Sequence, residues 1–413
     1  MEDLLETGLA DAALSPRDRA LCQEMAYGAV RWQGTLDWLI ARKTTGRTQK
    51  TGLQNLLRLG LYQMFWLDRV PDHAVVNETV ELAKRNGFGP QAGFVNAALR
   101  GYLRERDETE RLLVQLKSTQ PHLGYSHPEW LWRRSQERWG EEKAAALMEW
   151  NNSSPKNFAR VNTLKTDAGK LLARWRDEGV EYDFIRRDWT GENLVFELKS
   201  HPPLERLASF REGWFYIQDP STLLAVHVLS PQPGETILDS CAAPGGKTTF
   251  AAQMMENNGH IAACDVSAER LKLIQENCQR LGVTCVEERL LENERESAST
   301  PPAERKFDRI LVDAPCSNTG VMRRRVELRW RIQPTEIERL RTVQLDLLRR
   351  AARQLKPGGT LVYSTCSLEP EENSDAIRQF LAETPGFQLD HEQELLPFAD
   401  AVDGAYVARL TRA

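Results

Sequence analysis

From about residue 231 to its end, the chain alternates short apolar runs with stretches of helical periodicity. Strands are expected near 235–239, 261–265, 283–286, 307–313 and 359–364. Helices are expected near 247–257, 267–281, 335–355 and 371–383. This alternation predicts a parallel sheet with helices on both faces. The closing run 406–410 is expected to add a final edge strand, and the polar stretch 292–306 is expected to be a loop.

Two cysteines each follow one of these apolar runs. Cys316 comes after 310–312 in the sequence Asp-Ala-Pro-Cys-Ser, and Cys366 comes after 360–363 in Ser-Thr-Cys-Ser. In an open parallel sheet, ligands bind beyond the carboxyl ends of the strands. We therefore expect both thiols to reach one edge of the sheet, where they can act on one substrate together with an electrophilic partner.

A loop of small residues follows the first expected strand and leads into a helix. It comprises residues 241–247, Cys-Ala-Ala-Pro-Gly-Gly-Lys, and Asp265 ends the next strand about twenty residues later. Such a loop lets a ligand approach the backbone and the free N–H groups of the helix, and the acid can accept hydrogen bonds from ribose hydroxyls. A P-loop would need glycine at position 241, and a Gly-x-Gly-x-x-Gly motif is absent. A site for an adenosine-containing ligand such as S-adenosylmethionine fits best, and an ordinary strand–helix turn is the alternative.

The charge balance excludes a general electrostatic binder of nucleic acid. The formal net charge is −5, so nucleic-acid binding must use local patches. The most obvious patch consists of the arginines at 323–325, with Arg329 and Arg331 around Trp330. We interpret it as a phosphate contact, with a solvated charged face as the alternative.

The cysteine pattern and the hydropathy indicate a reducing compartment and no membrane segment. Seven cysteines form no Cys-x-x-Cys motif and no zinc-ligand pattern with the seven histidines, so we expect free thiols, a cytoplasmic location and no metal. Cys22, Cys264, Cys278 and Cys285 are expected to pack as small apolar side chains. There is no run of 18 uncharged apolar residues, and the acidic start is unlike a secretory signal.

The part before residue 231 divides into two predicted domains. Residues 1–115 are predicted to form a helical bundle, because apolar residues such as Leu53, Leu57 and Leu61 recur at helical spacing. Residues 116–230 are predicted to form a small α+β module, and residues 231–413 the third domain. The expected elements of the module are a helical stretch from 128 to 150, strands at 158–161 and 193–196, and a helix near 170–175.

Together these motifs resemble the RNA cytosine-5 methyltransferases over essentially the whole chain. The catalytic motifs of that family match at 241–247, Asp265, 313–317 and 365–367, followed by the tail 369–373. The first domain resembles the NusB-like RNA-binding bundle at 15–19, 57–60, 68–71 and 93–97, and the family's middle segment matches at 160–164 and 218–219. A NusB-like bundle joined to this catalytic domain is similar to the members that act on small-subunit (16S) ribosomal RNA.

The resemblance implies an α/β fold, with a Rossmann-like methyltransferase domain preceded by an all-α NusB-like bundle and a small α+β module. It implies S-adenosylmethionine-dependent methylation of cytosine C5 in RNA. RNA is then the partner of a monomeric cytoplasmic enzyme that uses no DNA, membrane or metal. The alternatives are transfer RNA as the substrate, or a non-catalytic NusB-like RNA-binding or antitermination factor.

The resemblance also assigns roles to the site residues. A thiolate that adds to C6 of cytosine makes C5 nucleophilic, and only the ionised thiol is effective. The residues alone leave the order of the thiols open, because DNA cytosine-5 enzymes use a Pro-Cys thiol as nucleophile. The resemblance makes Cys366 the nucleophile, lets Cys316 assist release, and places Asp313 against N3 or the amino group of the base. The implied cofactor-binding residues are Cys241, Ala242, Ala243, Pro244, Gly245, Gly246, Lys247, Asp265, Arg270 and Asp313.

Two positions depart from the family pattern. The family has an aspartate after its third strand, near the adenine; this chain has Glu292 there, and either Glu292 substitutes for the aspartate or the contact is lost. It also tends to have His-Pro-Asp after the basic residues, where residues 325–327 are Arg-Val-Glu.

Overall fold

The computed structural model describes residues 2–10, 14–291 and 306–413. The chain divides into two compact units. The helical unit comprises Met1–Ser154 and Met322–Arg331, and the sheet unit comprises Pro155–Val321 and Ile332–Ala413. Among the described residues, no helix is long and apolar enough to cross a membrane. The predicted domain boundaries at 115 and 230 remain predictions.

The helical unit consists of helices packed around an apolar core. Its N-terminal helices are α1 Glu2–Ala10, α2 Pro16–Arg31, α3 Gln33–Lys43, α4 Thr51–Trp66, α5 Asp72–Ala83, α6 Ala92–Arg104, α7 Arg106–Thr119, α8 Pro121–Gly124, α9 Glu129–Trp139 and α10 Glu141–Asn152. The predicted stripe on α4 is buried, since Leu53, Leu57 and Leu61 are at most 3% exposed. The helical stretch expected from 128 to 150 consists of two helices, because Gly140 has φ +81° and separates α9 from α10.

The sheet unit begins with the small α+β module. Its elements are β1 Asn157–Val161, α11 Ala168–Glu178, β2 Glu181–Phe184, β3 Val195–Ser200, α12 Ala208–Arg211 and β4 Phe215–Ile217. The strands pair antiparallel in the order β2-β3-β1-β4. Trp175 of α11 packs edge-on against Phe196 and Phe215 of the sheet. The sequence did not indicate β2, which is largely exposed, or β4, which has three residues.

A seven-stranded sheet forms the rest of the sheet unit. Its elements are α13 Leu223–Leu229, β5 Thr236–Asp239, α14 Gly246–Met254, β6 His260–Asp265, α15 Ala268–Leu281, β7 Val286–Leu290, β8 Phe307–Asp313, α17 Pro334–Gln354, β9 Leu355–Thr365, α18 Ser374–Glu383, β10 Phe387–Leu395, α19 Pro397–Asp400 and β11 Ala405–Arg412; the helical unit holds α16, Leu328–Arg331. The strand order is β10-β11-β9-β8-β5-β6-β7, and β5 to β9 are parallel. The predicted α/β fold is confirmed.

Three details of the predicted sheet need correction. The strand expected at 283–286 is β7, which starts only at Val286. The closing strand β11 is not an edge strand, because it pairs antiparallel with β9 on one side and β10 on the other. The strand β10 was not predicted because most of its side chains are polar and exposed, so it shows no apolar alternation. The predicted loop at 292–306 lies almost entirely outside the described residues.

The strand order places a crevice beside β5. From β5 the chain proceeds outward through β6 and β7, and then crosses to β8 and β9 on the other side. At such a reversal, the loops after the two adjacent strands lead away from each other and leave room for a ligand. The loops after β5 and β8 meet this condition.

Candidate active site

The two predicted thiols lie together at the carboxyl ends of neighbouring strands. Asp313 at the end of β8 pairs in register with Ser364 of β9, so Cys316 and Cys366 leave the sheet at nearly the same height. Their Sγ atoms are 3.4 Å apart. Cys316 is buried, whereas Cys366 is partly exposed. Cys366 is therefore the more accessible of the two residues.

The loops that hold the thiols are bonded to each other. Asn318 donates a hydrogen bond to the Cys316 carbonyl at 2.7 Å, and its Oδ1 accepts one from the Cys366 thiol at 3.1 Å. The Gly320 N–H donates to the Cys366 carbonyl at 2.9 Å. A Cβ atom at Gly320 would lie 2.8 Å from that carbonyl oxygen and from the Gly404 Cα, so glycine is required for this approach. Asn318 was not predicted, because it has no motif role of its own.

A lysine and an aspartate form an ion pair beside the thiols. The Lys247 Nζ donates to the Asp313 Oδ2 at 2.6 Å, and the Ser364 hydroxyl donates to the Oδ1 at 2.7 Å. Burial lowers the pKa of Lys247, but the charges of Asp313, Cys366 and Asp239 and the hydrogen bond with Asp313 outweigh burial and raise it. Lys247 belongs to the loop predicted to bind the cofactor, yet its ammonium group reaches Asp313.

Two thiols of this region, Cys316 and Cys241, are weaker acids than an ordinary cysteine. The hydrogen bond with Cys366 is the largest of the effects that hold the pKa of Cys316 well above its ordinary value, followed by burial and the charges of Cys366 and Glu372. Burial, with the nearby carboxylates Asp239 and Asp313, also raises the pKa of Cys241. Cys316 and Cys241 are therefore protonated at neutral pH. All seven cysteines are free, and Cys264, Cys278 and Cys285 are buried as expected, whereas Cys22 is only partly buried.

The loop after β5 is held against the end of β6. The Ala242 N–H donates to the Cys264 carbonyl at 2.9 Å. Arg270 donates to the Ala243 carbonyl at 2.8 Å and lies 3.3 Å from a carboxylate oxygen of Asp265. Gly245 has φ +99° directly before α14, a conformation that favours glycine. The structure thus brings the loop, Asp265 and Arg270 together.

These residues fit an adenosine-containing cofactor. The helix α14 begins at Gly246 directly after the loop, and the first N–H groups of a helix have no partners within it. The Asp265 carboxylate is anchored by the Ser267 N–H at 3.1 Å, at the strand end where such an acid binds ribose hydroxyls. Glu292, the expected substitute for the adenine-side aspartate, lies outside the described residues. Within the ranges that the structure covers, no cluster of three or more His, Cys, Asp or Glu side chains could hold a metal ion.

The interpretation of the arginine run as an exposed phosphate contact is wrong for two of its members. Arg323 and Arg329 are buried in the helical unit. Arg329 donates to the Asn152 side chain at 2.6 Å and to the Asn151 carbonyl at 2.8 Å, and the guanidinium carbon of Arg323 lies 4.0 Å from the centre of the Trp150 ring. Burial lowers the pKa of Arg329 to about 9. Two other members, at positions 325 and 331, are exposed.

Comparison with known proteins agrees with this architecture. Family models match in three segments: the NusB family over residues 1–104, the ferredoxin-like domain of RsmF/B-like methyltransferases over 127–188, and the 16S rRNA methyltransferase RsmB/F over 226–411. The probable ribosomal RNA small subunit methyltransferase B of Bacillus subtilis is 36% identical, over 94% of this chain and 85% of the relative. The ribosomal RNA small subunit methyltransferase B of Klebsiella pneumoniae is 36% identical, over 97% and 91%.

Solved structures show the same fold. The crystal structure of PH0851 has a TM-score of 0.80 at 26% identity, and the match covers 97% of this chain and 91% of the other. A methyltransferase homologue from Pyrococcus horikoshii has a TM-score of 0.62 at 30% identity, over 71% and 97%. Near-full-length identity of 36% to several relatives, together with the three matching family models, shows that the chain belongs to the RsmB/F family of ribosomal RNA small subunit methyltransferases.

Proposed function

We propose that this protein transfers a methyl group from S-adenosylmethionine to C5 of a cytosine in small-subunit ribosomal RNA, as a monomer in the cytoplasm. The observation that carries the proposal is the pair of sulfur atoms 3.4 Å apart, at the carboxyl ends of β8 and β9. The names of the relatives support ribosomal RNA as the substrate, and seven free cysteines suit a reducing compartment.

The chemistry needs a thiolate because C5 of an aromatic cytosine is a poor nucleophile. Addition of sulfur to C6 breaks the aromaticity and makes C5 electron-rich. Cys366 is assigned as the attacking group, in line with the family resemblance and because it is the more exposed residue of the two. The charge of the Cys366 thiolate is one of the influences that raise the pKa of Lys247, so the two groups attract each other.

Asp313 is assigned to the base itself. Ser364 and Lys247 fix the orientation of its carboxylate, and its side chain remains 32% exposed. A carboxylate at this position can accept a hydrogen bond from the amino group or from protonated N3, which offsets the charge that develops on the ring. The base must leave any stack to reach this position.

Release of the product requires a base for the C5 proton. Once the Cys366 sulfur is bonded to C6, it no longer carries charge, and the main influence that keeps Cys316 protonated is removed. Cys316 can then lose its proton to solvent water, and its thiolate accepts the C5 proton while the C6–S bond breaks and the electron pair of that bond returns to Cys366. The methylated base leaves with its ring double bond restored.

The loop after β5 would hold the cofactor. Residues 241–246 offer close backbone approach, Asp265 accepts hydrogen bonds from the ribose, and Arg270 fixes both through its bonds to Ala243 and Asp265. When bound, S-adenosylmethionine supplies an electrophilic methyl group on a sulfonium centre.

Trapping of the covalent adduct tests the mechanism. Cys316→Ala should accumulate a protein–RNA adduct that survives denaturing gel electrophoresis, because the C6–S bond forms but does not break. Cys366→Ala should form no adduct and should lose activity. Normal turnover by Cys366→Ala would overturn the assignment of the nucleophile.

The substrate is tested in cells that lack the protein. Bisulfite sequencing of ribosomal and transfer RNA from a deletion strain should show one or more small-subunit cytosines that lose methylation. Loss only in transfer RNA would favour the transfer RNA alternative. Unchanged methylation, with no binding of S-adenosylmethionine by the purified protein, would favour a non-catalytic RNA-binding factor.

A further inference from the structure

One buried carboxyl group, Glu372, lies between the two thiol loops. It belongs to the turn Pro370–Glu372 before α18 and is 0% exposed. The hydroxyl group of Tyr363 on β9 donates to the main-chain carbonyl of Glu372 at 2.6 Å. This bond fixes the turn against the sheet. The motif 369–373 was noted in the sequence, but no role followed from it.

The Glu372 side chain bonds to both loops at once. Its Oε1 accepts from the Ser317 N–H at 2.8 Å and from Gln344 of α17 at 2.9 Å. Its Oε2 accepts from the hydroxyl groups of Ser317 and Ser367. Ser317 directly follows Cys316, and Ser367 directly follows Cys366. A single carboxyl group therefore bridges the two thiol loops, in addition to the bonds made by Asn318 and Gly320.

The contacts of this carboxyl group suit its ionised form. Two N–H and two O–H groups point at two oxygen atoms, and a carboxylate can accept all four bonds. A protonated carboxyl would have to donate one hydrogen bond and lose an acceptor site. Burial raises the pKa of Glu372, and the bonds from Ser317, Ser367 and Gln344 oppose that rise.

The charge of Glu372 also acts on Cys316. It is one of the influences that raise the pKa of that thiol, and it persists after Cys366 has bonded to the base. A thiol with a raised pKa gives a more strongly basic thiolate. The effect on Cys316 therefore matters most at the step that removes the C5 proton.

We propose that Glu372 is a positioning residue that holds Cys316 against the Cys366 sulfur, in the place from which Cys316 releases the methylated RNA. The inference rests on the proposed function. It predicts that loss of the Glu372 charge impairs release of the adduct more than its formation.

The test uses Glu372→Gln in the full-length protein with a small-subunit ribosomal RNA transcript. Glutamine preserves the volume and removes the charge. Turnover should fall about tenfold to a hundredfold, while the rate of adduct formation changes by less than about threefold, so that adduct accumulates as in Cys316→Ala. Glu276→Gln, at an exposed glutamate on α15, is the control and should behave as wild type.

Two serine variants separate the two sides of the bridge and serve if Glu372→Gln fails to fold. Ser317→Ala removes a bond on the Cys316 side and should accumulate adduct. Ser367→Ala removes the bond on the Cys366 side and should accumulate less adduct than Ser317→Ala. Equal effects of the two serine variants on formation and release would overturn the proposal.

The outcomes distinguish this inference from the proposed function. If wild type methylates RNA but Glu372→Gln keeps normal turnover, or loses formation and release by the same factor, the role of Glu372 is wrong. If wild type neither methylates RNA nor forms an adduct in any variant, the proposed function itself fails.

Discussion

Replacement of Lys247 by methionine tests whether its ammonium group serves the reacting base or the cofactor. Methionine keeps an unbranched side chain of similar length and removes the charge. The Lys247 side chain is 16% exposed and that of Asp313 is 32% exposed, so the pair lies between a buried and a surface ion pair. Without the ammonium group, the Asp313 carboxylate loses the cation 2.6 Å away. The Cys366 thiolate loses its attraction to the same positive charge.

The magnitude follows from the geometry of the pair. At the observed 2.6 Å, the Coulomb energy with an effective dielectric constant of about 20 is roughly 6 kcal/mol. Desolvation of the two groups offsets a large part of it, and the partial exposure of Asp313 reduces it further. A net loss of about 2–3 kcal/mol in the transition state corresponds to a fall in kcat of about 30- to 150-fold.

The assay measures transfer of tritiated methyl groups to small-subunit ribosomal RNA at saturating cofactor, and titration measures the Kd of S-adenosylmethionine. We expect a lower kcat and a Kd within about threefold of wild type. Lys272→Met, an exposed lysine on α15, is the control and should leave both unchanged. A normal kcat combined with a raised Kd would refute the reasoning and return Lys247 to the cofactor, as the loop motif alone suggests.

Two further predictions concern buried charges around the same site. Arg160 is 1% exposed and donates to the Gly246 carbonyl at 3.0 Å and to Thr249 at 3.2 Å, both in the first turn of α14. Arg160→Met should therefore weaken S-adenosylmethionine binding about tenfold in a titration. An unchanged Kd would show that these bonds to α14 do not support the cofactor site. Burial raises the pKa of Asp239 to about 7 in the folded state, whereas an unfolded aspartate has a pKa of about 4. As the pH rises from about 4 to 7, ionisation of Asp239 therefore favours the unfolded state more and more. Asp239→Asn should therefore gain free energy of unfolding relative to wild type, with the gain growing by about 3 kcal/mol from pH 5 to pH 8 in urea titrations, whereas a gain independent of pH would show that Asp239 titrates normally.

The sequence predicted that the two thiols would lie together, because each cysteine follows the carboxyl end of a strand. Parallel strands deliver their carboxyl ends to one edge, so two cysteines after two apolar runs were expected to meet, and their sulfur atoms are 3.4 Å apart. The same reasoning placed Asp265 beside the loop after β5. The strand β10 was not predicted, because a strand with polar, solvent-exposed side chains shows no alternation of apolar residues.

The sequence did not predict the hydrogen bonds and ion pairs between side chains that lie far apart along the chain. The lysine of the cofactor loop stands 66 positions before Asp313, and only the pairing of β5 with β8 brings them within 2.6 Å. Glu372 was visible only as part of a motif, because its role depends on hydroxyl groups from two loops 50 positions apart. The motifs therefore contained the groups that we propose perform the chemistry, but they did not indicate the groups that we propose orient them.

The arginine run shows why charge patterns mislead when a segment packs on distant residues. Arginine is mostly exposed in proteins, so a cluster around a tryptophan indicated a nucleic-acid contact. The last carbonyl groups of α10 have no partners within the helix, and Arg329 donates to the end of that helix at Asn151 and Asn152. The five donors of a guanidinium group suit this task better than a lysine. Because these partners precede Arg329 by nearly 180 positions, the residues of the run itself contain no sign that part of their charge completes the helical unit.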